Sequence, residues 1–444
     1  MKTHSFEERE ESMTIIGLDI HRVFAEAVAL EGAEFTRLGR IGMTREHLAA
    51  FAATLKKTDH VIVEATGNAT ALVEILTPHV ARVAVANPLQ VYPIAKAKTK
   101  TDKIDARVLA QLYAAGFLPE VWVPDEATLA RRRQVTRRSQ LVKQRVRLKG
   151  IVQSVLHAHL VPRCPHVDLF GIKGRAWLKA QYLPEDEREA IARHIDEYDR
   201  LTEAQKGVEK DIARAALDDK DVKRIMTAPG IDMVVAVGVM AAIGRIEHFD
   251  DPNKLVAYFG LNPSVRQSGE GPAYHGRITK RGPSGARHLL VEAAWQAIRV
   301  PGPLRAFYDR IRARRGTHIA VVAVARKLIV LIWQLLTKGE DYTWVRPALM
   351  TRKMRSLELA AGLPARRGQR GATYAYTLPE RRQADRAVAD QAECDYRHLT
   401  QGWRKRGPDR GAGATHEDVN DLAARRGLNL TPRPLPRGRL QCRK

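Results

Sequence analysis

The hydrophobic pattern begins with two short runs, residues 14–21 (TIIGLDIH) and 23–30 (VFAEAVAL). β-Branched residues dominate the first and alternation marks the second, so both read as strands. A weaker third strand is expected near 34–41. Residues 44–57 change period. Thr44 can cap a helix there, and His47, Leu48, Phe51 and Leu55 fall at helical spacing. HVIVEATG (60–67) is a fourth strand that ends in a polar turn. A helix runs from there to about Pro78, and RVAVANP (82–88) is a fifth strand closed by Pro88. The order β-β-β-α-β-α-β predicts a mixed sheet flanked by helices.

Beyond residue 100 the pattern is helical. One helix is expected from Asp102 to about Leu118, a long basic one from Asp125 to about Leu160, and another from about Pro184 to Leu217. Two long helices with few breakers predict an antiparallel hairpin or coiled coil. The stretch 125–160 holds nine basic residues and two acids. It reads equally as a spacer with a solvated basic face and as an arm that grips nucleic acid. Further helices are expected near 231–244, 252–260, 284–299 and 317–338. The Gly-, Ser- and Lys-rich stretch PSVRQSGEGPAYHGRITKRGPSG reads as a loop between two of them. Residues 379–403 fit an amphipathic helix, and residues 405–444 read as disordered. The fold class is therefore α/β plus α.

Charge narrows the partners. The 444 residues carry 74 Lys and Arg against 50 Asp and Glu, a formal charge of +24. Such an excess fits a polyanion, because Lys and Arg displace counterions from phosphate backbones. The excess is spread along the chain, since residues 351–444 hold 21 basic and 10 acidic residues. Cys164, Cys394 and Cys442 lie too far apart for a disulfide framework or a zinc site. The N-terminus is polar and unlike a signal peptide. The longest apolar stretch, IAVVAVARKLIVLIWQLL, has Arg326 and Lys327 in its middle, so a buried core helix is expected rather than a membrane span. These features describe a cytoplasmic, nucleoid-associated protein that binds nucleic acid and no membrane.

Three constellations can carry chemistry. Asp19 lies inside an apolar strand, and Glu64 ends another. A carboxylate in such a place needs a cation or a hydrogen-bond donor. Asp102 and Asp105 start a helix three residues apart and share one face. Four carboxylates on neighbouring elements make an all-oxygen site of the kind magnesium favours, with manganese as an alternative. Singly, each has a plainer reading, since Asp102 and Asp105 also suit a helix N-terminus. APGID (228–232) is a Pro-Gly turn before an apolar helix. Its backbone N–H groups around Gly230 can hold a phosphate, or it is an ordinary helix–helix turn. In the third constellation Arg266, Arg277, Lys280, Arg281 and Arg287 surround Ser268. That serine can attack a phosphodiester or serve as a turn residue in a phosphate-binding loop. No G-x-x-x-x-G-K-[ST] occurs, so no ATP-driven motor is expected.

Five segments in this order resemble the DEDD transposases of insertion sequences, the IS-one-ten group that includes the Piv-type and MooV-type proteins. They are GLDIH (17–21), VEATG (63–67), NPLQVYPIAKAKTKTDKIDARVLAQL (87–112), APGIDMVVAVGVMAAIGRIEHFDDPNKLVAYFGLNPSVRQSG (228–269) and GRITKRGPSGARHLLVEAAW (276–295). The resemblance implies a ribonuclease-H-like (RuvC-like) catalytic domain over 14–122. A helical coiled-coil arm over 123–220 and a mainly helical C-terminal transposase domain over 221–345 would follow. A basic helical extension (346–404) and a basic tail (405–444) end the chain. By the family's motif, Asp19, Glu64, Asp102 and Asp105 would be the D-E-D-D magnesium ligands. Ser268, in the family's S-G context, would be the nucleophile that links covalently to DNA. Ser264 and Ser284 lack that context.

The expected function is transposition or site-specific recombination of an insertion sequence. The partners would be donor and target DNA, bridged by a structured non-coding RNA. A homodimer or homotetramer would supply the serine in trans, because serine and carboxylates lie in separate domains. The alternative is a magnesium-dependent, Holliday-junction-resolvase-like endonuclease in which water attacks. A non-catalytic nucleic-acid binder with structural acids ranks last.

Overall fold

The computed structural model describes residues 13–94, 101–269, 271–365 and 371–401. The polar N-terminal stretch and the tail 405–444 lie outside the described residues. The chain divides into two units, one ending at Asp125 and the other starting at Glu126.

The first unit contains β1 (Ile15–Ile20), β2 (Phe24–Glu31), β3 (Glu34–Gly42), α1 (Arg45–Ala52), β4 (His60–Glu64), α2 (Ala69–Leu76), β5 (Arg82–Ala86), α3 (Pro88–Ile94) and α4 (Asp102–Ala114). The strands form one mixed sheet in the order β3-β2-β1-β4-β5. β1 to β3 are antiparallel, and β4 and β5 run parallel to β1. Strand alternation sorts the side chains onto two faces. Ile16, Leu18 and Ile20 pack with Leu48 of α1 and with Leu72 and Leu76 of α2. Ile15, Leu30, Ile62 and Ala84 pack with Leu109 and Ala110 of α4.

Gly17 and Asp19 belong to that second face. A Cβ on Gly17 would lie 2.0 Å from the Ala106 carbonyl oxygen. The missing side chain lets α4 cross β1 at backbone contact, which carries the first turn of α4 toward Asp19. Thr101 caps that turn by accepting from the Ile104 N–H. Edge strand β3 holds a bulge. Ala27 faces Gly39 and Val28 faces Arg37, so Leu38 is the extra residue, and Gly39 takes φ +102°.

The second unit is largely helical. Its first helices are α5 (Glu126–Ala158), α6 (Ile172–Lys179) and α7 (Glu185–Leu217). α5 and α7 pair antiparallel. Arg138 binds Glu209 at 2.7 Å, Arg145 donates to Gln205 and Tyr198, and Val152 and Leu156 share a cluster with Ile191. Most of the cations on α5 are engaged within the unit. Arg131 pairs with Asp219, Arg132 donates to the Ala241 and Ala242 carbonyls, Arg133 pairs with Glu126, and Lys149 pairs with Asp168. Arg137, Lys143 and Arg147 remain exposed. Much of the basic character of this helix therefore holds the hairpin and its surroundings together.

Then come α8 (Lys220–Met226), α9 (Met233–Ile243), α10 (Pro252–Tyr258), β6 (Pro263–Arg266), β7 (Tyr274–Ile278), α11 (Ser284–Ala297), α12 (Pro303–Arg315), α13 (Thr317–Lys338), α14 (Pro347–Ala360) and α15 (Pro379–Gln401). The stretch read as a loop is a β6–β7 hairpin, because Val265, Tyr274 and Ile278 supply enough strand formers despite the glycines. Among the described residues α13 is long and apolar enough to cross a membrane. Here it lies in the helical core, with Val321, Val324, Leu328, Ile329 and Ile332 buried. Cys164 is free.

Gly17→Ala should lower stability by about 2 kcal/mol, the scale of overpacking at a rigid contact. Gly207→Ala, on α7 with nothing within 4 Å of the new methyl, should gain up to about 1 kcal/mol. Thermal unfolding of the two variants beside the wild type checks the pair. Equal midpoints would mean that α4 does not rest on β1.

Candidate functional site

The second face of the sheet concentrates the acidic residues at one end. Asp19 is the penultimate residue of β1 and is 8% exposed. β4 runs parallel to β1, with Gly17 beside Ile62 and Leu18 beside Val63, so Glu64 comes next in line at the level of Asp19. Asp102 and Asp105 occupy the first turn of α4, which Gly17 admits to the sheet.

His21 completes a tight group that residue-type reasoning passed over. Its Nε2 lies 3.2 Å from Asp19 Oδ2 and 3.3 Å from Asp102 Oδ1. One ligand atom each from Asp19, His21 and Asp102 falls within 4.8 Å of the others. The spacing Asp19-x-His21 was the available signal, since residues two apart at a strand end project to one side. Phe24 stacks on His21 with ring centroids 4.8 Å apart, and the His21 N–H donates to the Phe24 carbonyl at 2.8 Å.

The electrostatics favour a cation here. Burial holds the Asp19 carboxyl above the usual carboxylate range; His21 opposes this, and the charges of Asp105 and Asp102 add to it. His21 Nε2 is itself buried and makes no well-aligned hydrogen bond. Carboxylate oxygens with one imidazole nitrogen suit magnesium or manganese better than a soft metal. The residues present therefore fit a divalent ion. Glu64 and Asp105 stand on the same face but outside the three-residue group.

Sequence reasoning also missed Glu26. It pairs across the strands with Asp19 and is 1% exposed. Arg37 Nε donates to one of its oxygens at 2.5 Å and Arg40 Nε to the other at 3.3 Å. The Arg37 hydrogen bond holds the Glu26 carboxyl below its ordinary range.

Ser268 lies just past β6 and is exposed, followed by Gly269 at φ +57°. Arg266, on β6, pairs with Tyr274 of β7, and Arg277 lies on β7; both arginines are exposed. The turn after β7 is rigid. A Cβ on Gly282 would lie 1.9 Å from the Tyr258 carbonyl oxygen, and Lys280 takes φ +55°. Arg287 Nη1 donates to the Phe259 and Arg281 carbonyls, so that guanidinium holds the turn while Lys280 and Arg281 stay exposed. Gly230 has a packing reason: its φ is +80° and a Cβ would lie 2.2 Å from the Ala293 carbonyl. The N-terminus of α9 is capped by Asp232, which accepts from the Val235 N–H at 2.9 Å. That carboxylate occupies the place a phosphate would take.

Two families match the chain. Residues 16–160 match the DEDD transposase family of the IS110 type, and residues 222–309 match the family described as Transposase IS116/IS110/IS902. The first match contains the four carboxylates and the second contains Ser268. A Sinorhizobium fredii protein named as a transposase, y4qE, is 28% identical over 281 residues, 55% of this chain and 67% of its own. The transposase for insertion sequence element IS1111A of Coxiella burnetii is 32% identical over 138 residues, 30% of this chain and 38% of its own. The transposase for IS1328 of Yersinia enterocolitica is 25% identical over 276 residues, 59% of this chain and 79% of its own.

The raised Asp19 carboxyl sets a sign. Well below pH 3.8 it is protonated in both folded and unfolded chains and contributes nothing. As pH rises, the unfolded chain ionises first, so this group lowers stability until its folded value is passed. In metal-free buffer Asp19→Asn should therefore melt higher than the wild type, by a margin that grows as pH rises above 3.8 and levels off once the folded value is passed. Added manganese should raise the wild-type midpoint and leave that of the variant unchanged. Melting curves with EDTA and with manganese check both.

Proposed function

Because the chain belongs to the DEDD transposases of the IS116/IS110/IS902 family, we propose that it cuts and rejoins the DNA of its insertion sequence with a carboxylate centre and a serine nucleophile. The observation that carries this reading is the convergence of Asp19, His21 and Asp102, with Asp105 and Glu64 on the same face. The five-stranded mixed sheet supports a ribonuclease-H-like reading of the first unit. The domain division 14–122, 123–220, 221–345, 346–404 and 405–444 belongs to the same proposal.

In this reading Asp19, Glu64, Asp102 and Asp105 hold magnesium or manganese, with His21 as a further ligand. The ion supplies Lewis-acid stabilisation of charge on the phosphate. Ser268 Oγ forms a bond to phosphorus, the bond to the leaving strand's oxygen breaks, and the serine proton is lost as that oxygen gains one. The phosphoserine ester keeps the phosphodiester bond energy for rejoining. Arg266, Arg277, Lys280 and Arg281 offer exposed cations for phosphate near that serine. Donor and target DNA are the substrates, a structured RNA bridges them, and a homodimer or homotetramer supplies the serine in trans.

The test is covalent trapping. Incubation with element-end DNA, magnesium and the co-expressed RNA, followed by denaturation, should yield a protein–DNA adduct. Ser268→Ala should abolish the adduct while keeping DNA affinity within about threefold, and Asp19→Asn should abolish it as well. Mixing the two inactive variants should restore it if the serine comes from a neighbouring copy. Magnesium-dependent cleavage without any adduct would replace this mechanism with the resolvase-like one.

A further inference from the structure

The carboxylate centre has a cationic neighbour that the proposed mechanism does not use. Glu26 lies beside Asp19 on the same sheet face, and a single partner would satisfy its charge. It has two, Arg37 and Arg40. These arginines are three apart on β3, so a regular strand would send them to opposite faces. The bulge at Leu38, with Gly39 at φ +102°, resets the alternation and brings both guanidiniums to Glu26. The trio carries one net positive charge.

Arg40 is the less committed of the two. Its Nε reaches Glu26 at 3.3 Å, and its Nη2 stands 3.8 Å from Asp102 Oδ2. Its guanidinium lies over the Phe24 ring at 4.3 Å, the ring that also stacks on His21. The side chain is nevertheless 59% exposed. It is thus held from behind, by a buried carboxylate and an aromatic face, with much of the side chain open to solvent beside the acidic residues. A guanidinium has five donors in a planar fork, which suits phosphate oxygens.

We propose that Arg40 is the phosphate-binding residue of the carboxylate centre, taking non-bridging oxygens of the nucleic-acid backbone, with Glu26 as its positioning residue. The assignment rests on the carboxylate centre proposed above. It explains why a negative charge is buried next to a site already crowded with carboxylates: Glu26 holds the Arg40 guanidinium from behind, at the edge of the site where its Nη2 also reaches Asp102. It also gives the bulge a purpose, since Arg37 takes the closer share of Glu26 and leaves Arg40 the longer, looser contact.

The test uses the full chain, a fluorescein-labelled DNA duplex read by anisotropy across a salt series, and manganese binding read by calorimetry. Arg40→Ala should weaken duplex binding about tenfold and reduce the salt slope by about 0.9, with manganese still bound. Arg40→Lys should restore the slope but not the whole affinity, because it keeps the charge and loses the fork. Glu26→Gln discriminates further. It removes a negative charge, so a purely electrostatic role predicts tighter duplex binding, whereas a positioning role predicts weaker binding. Circular dichroism checks that this variant folds, and the half-exposed Arg40 variants carry the test if it does not. Wild-type affinity and slope in Arg40→Ala, with Asp19-dependent manganese binding intact, would overturn the Arg40 assignment alone. Manganese binding that does not depend on Asp19 would overturn the carboxylate centre and this inference with it.

Discussion

The candidate site depends on the contact of one helix backbone with one strand backbone. α4 reaches β1 because position 17 has no side chain, and the Ala106 carbonyl fills that space. This contact converts sequence distance into proximity. Asp19 and Asp102 are far apart along the chain, yet His21 Nε2 lies within 3.3 Å of both. Burial and mutual repulsion make the arrangement unfavourable for the carboxylates themselves. The packing of Ile15, Ile62, Leu109 and Ala110 beside them offsets that repulsion.

The positive charge of the chain has two uses. On α5 it is mostly structural, with guanidiniums reaching Glu209, Tyr198, Asp219 and backbone carbonyls. Arg287 does the same beneath the β6–β7 hairpin. On the hairpin itself, and at Arg40, the cations stay open to solvent. Net charge therefore indicates the class of partner but overstates how much of the surface meets it. Placement, read residue by residue, separates the two uses.

The sheet was legible because each strand had either β-branched runs or alternation, and each boundary had a turn residue or Pro88. The long helices were legible from their length. Helices α6 and α12 were not, since short basic segments such as IKGRAWLK carry little period of their own and form against neighbours. The β6–β7 hairpin was hidden by its glycines. At the site, acids inside apolar strands stood out at once. His21 did not, because a histidine at a strand end has many plainer readings. Glu26 did not, because its role depends on two arginines brought together by a bulge. Gly230, which reads as a phosphate-holding turn or an ordinary helix–helix turn, makes a close helix contact.

The burial of α13 bears on the order in which the protein is made. This helix is apolar enough to pass for a membrane span, yet its main packing partners, α8, α10, α11 and α12, all precede it in the chain. As the nascent chain leaves the ribosome, the surfaces that cover α13 are therefore available before it emerges. Synthesis from the N-terminus lets a very greasy segment meet a prepared receptor instead of water or lipid. The same segment freed from its predecessors by an internal restart or a deletion would have no such cover, so the safe handling of α13 is written into the direction of translation.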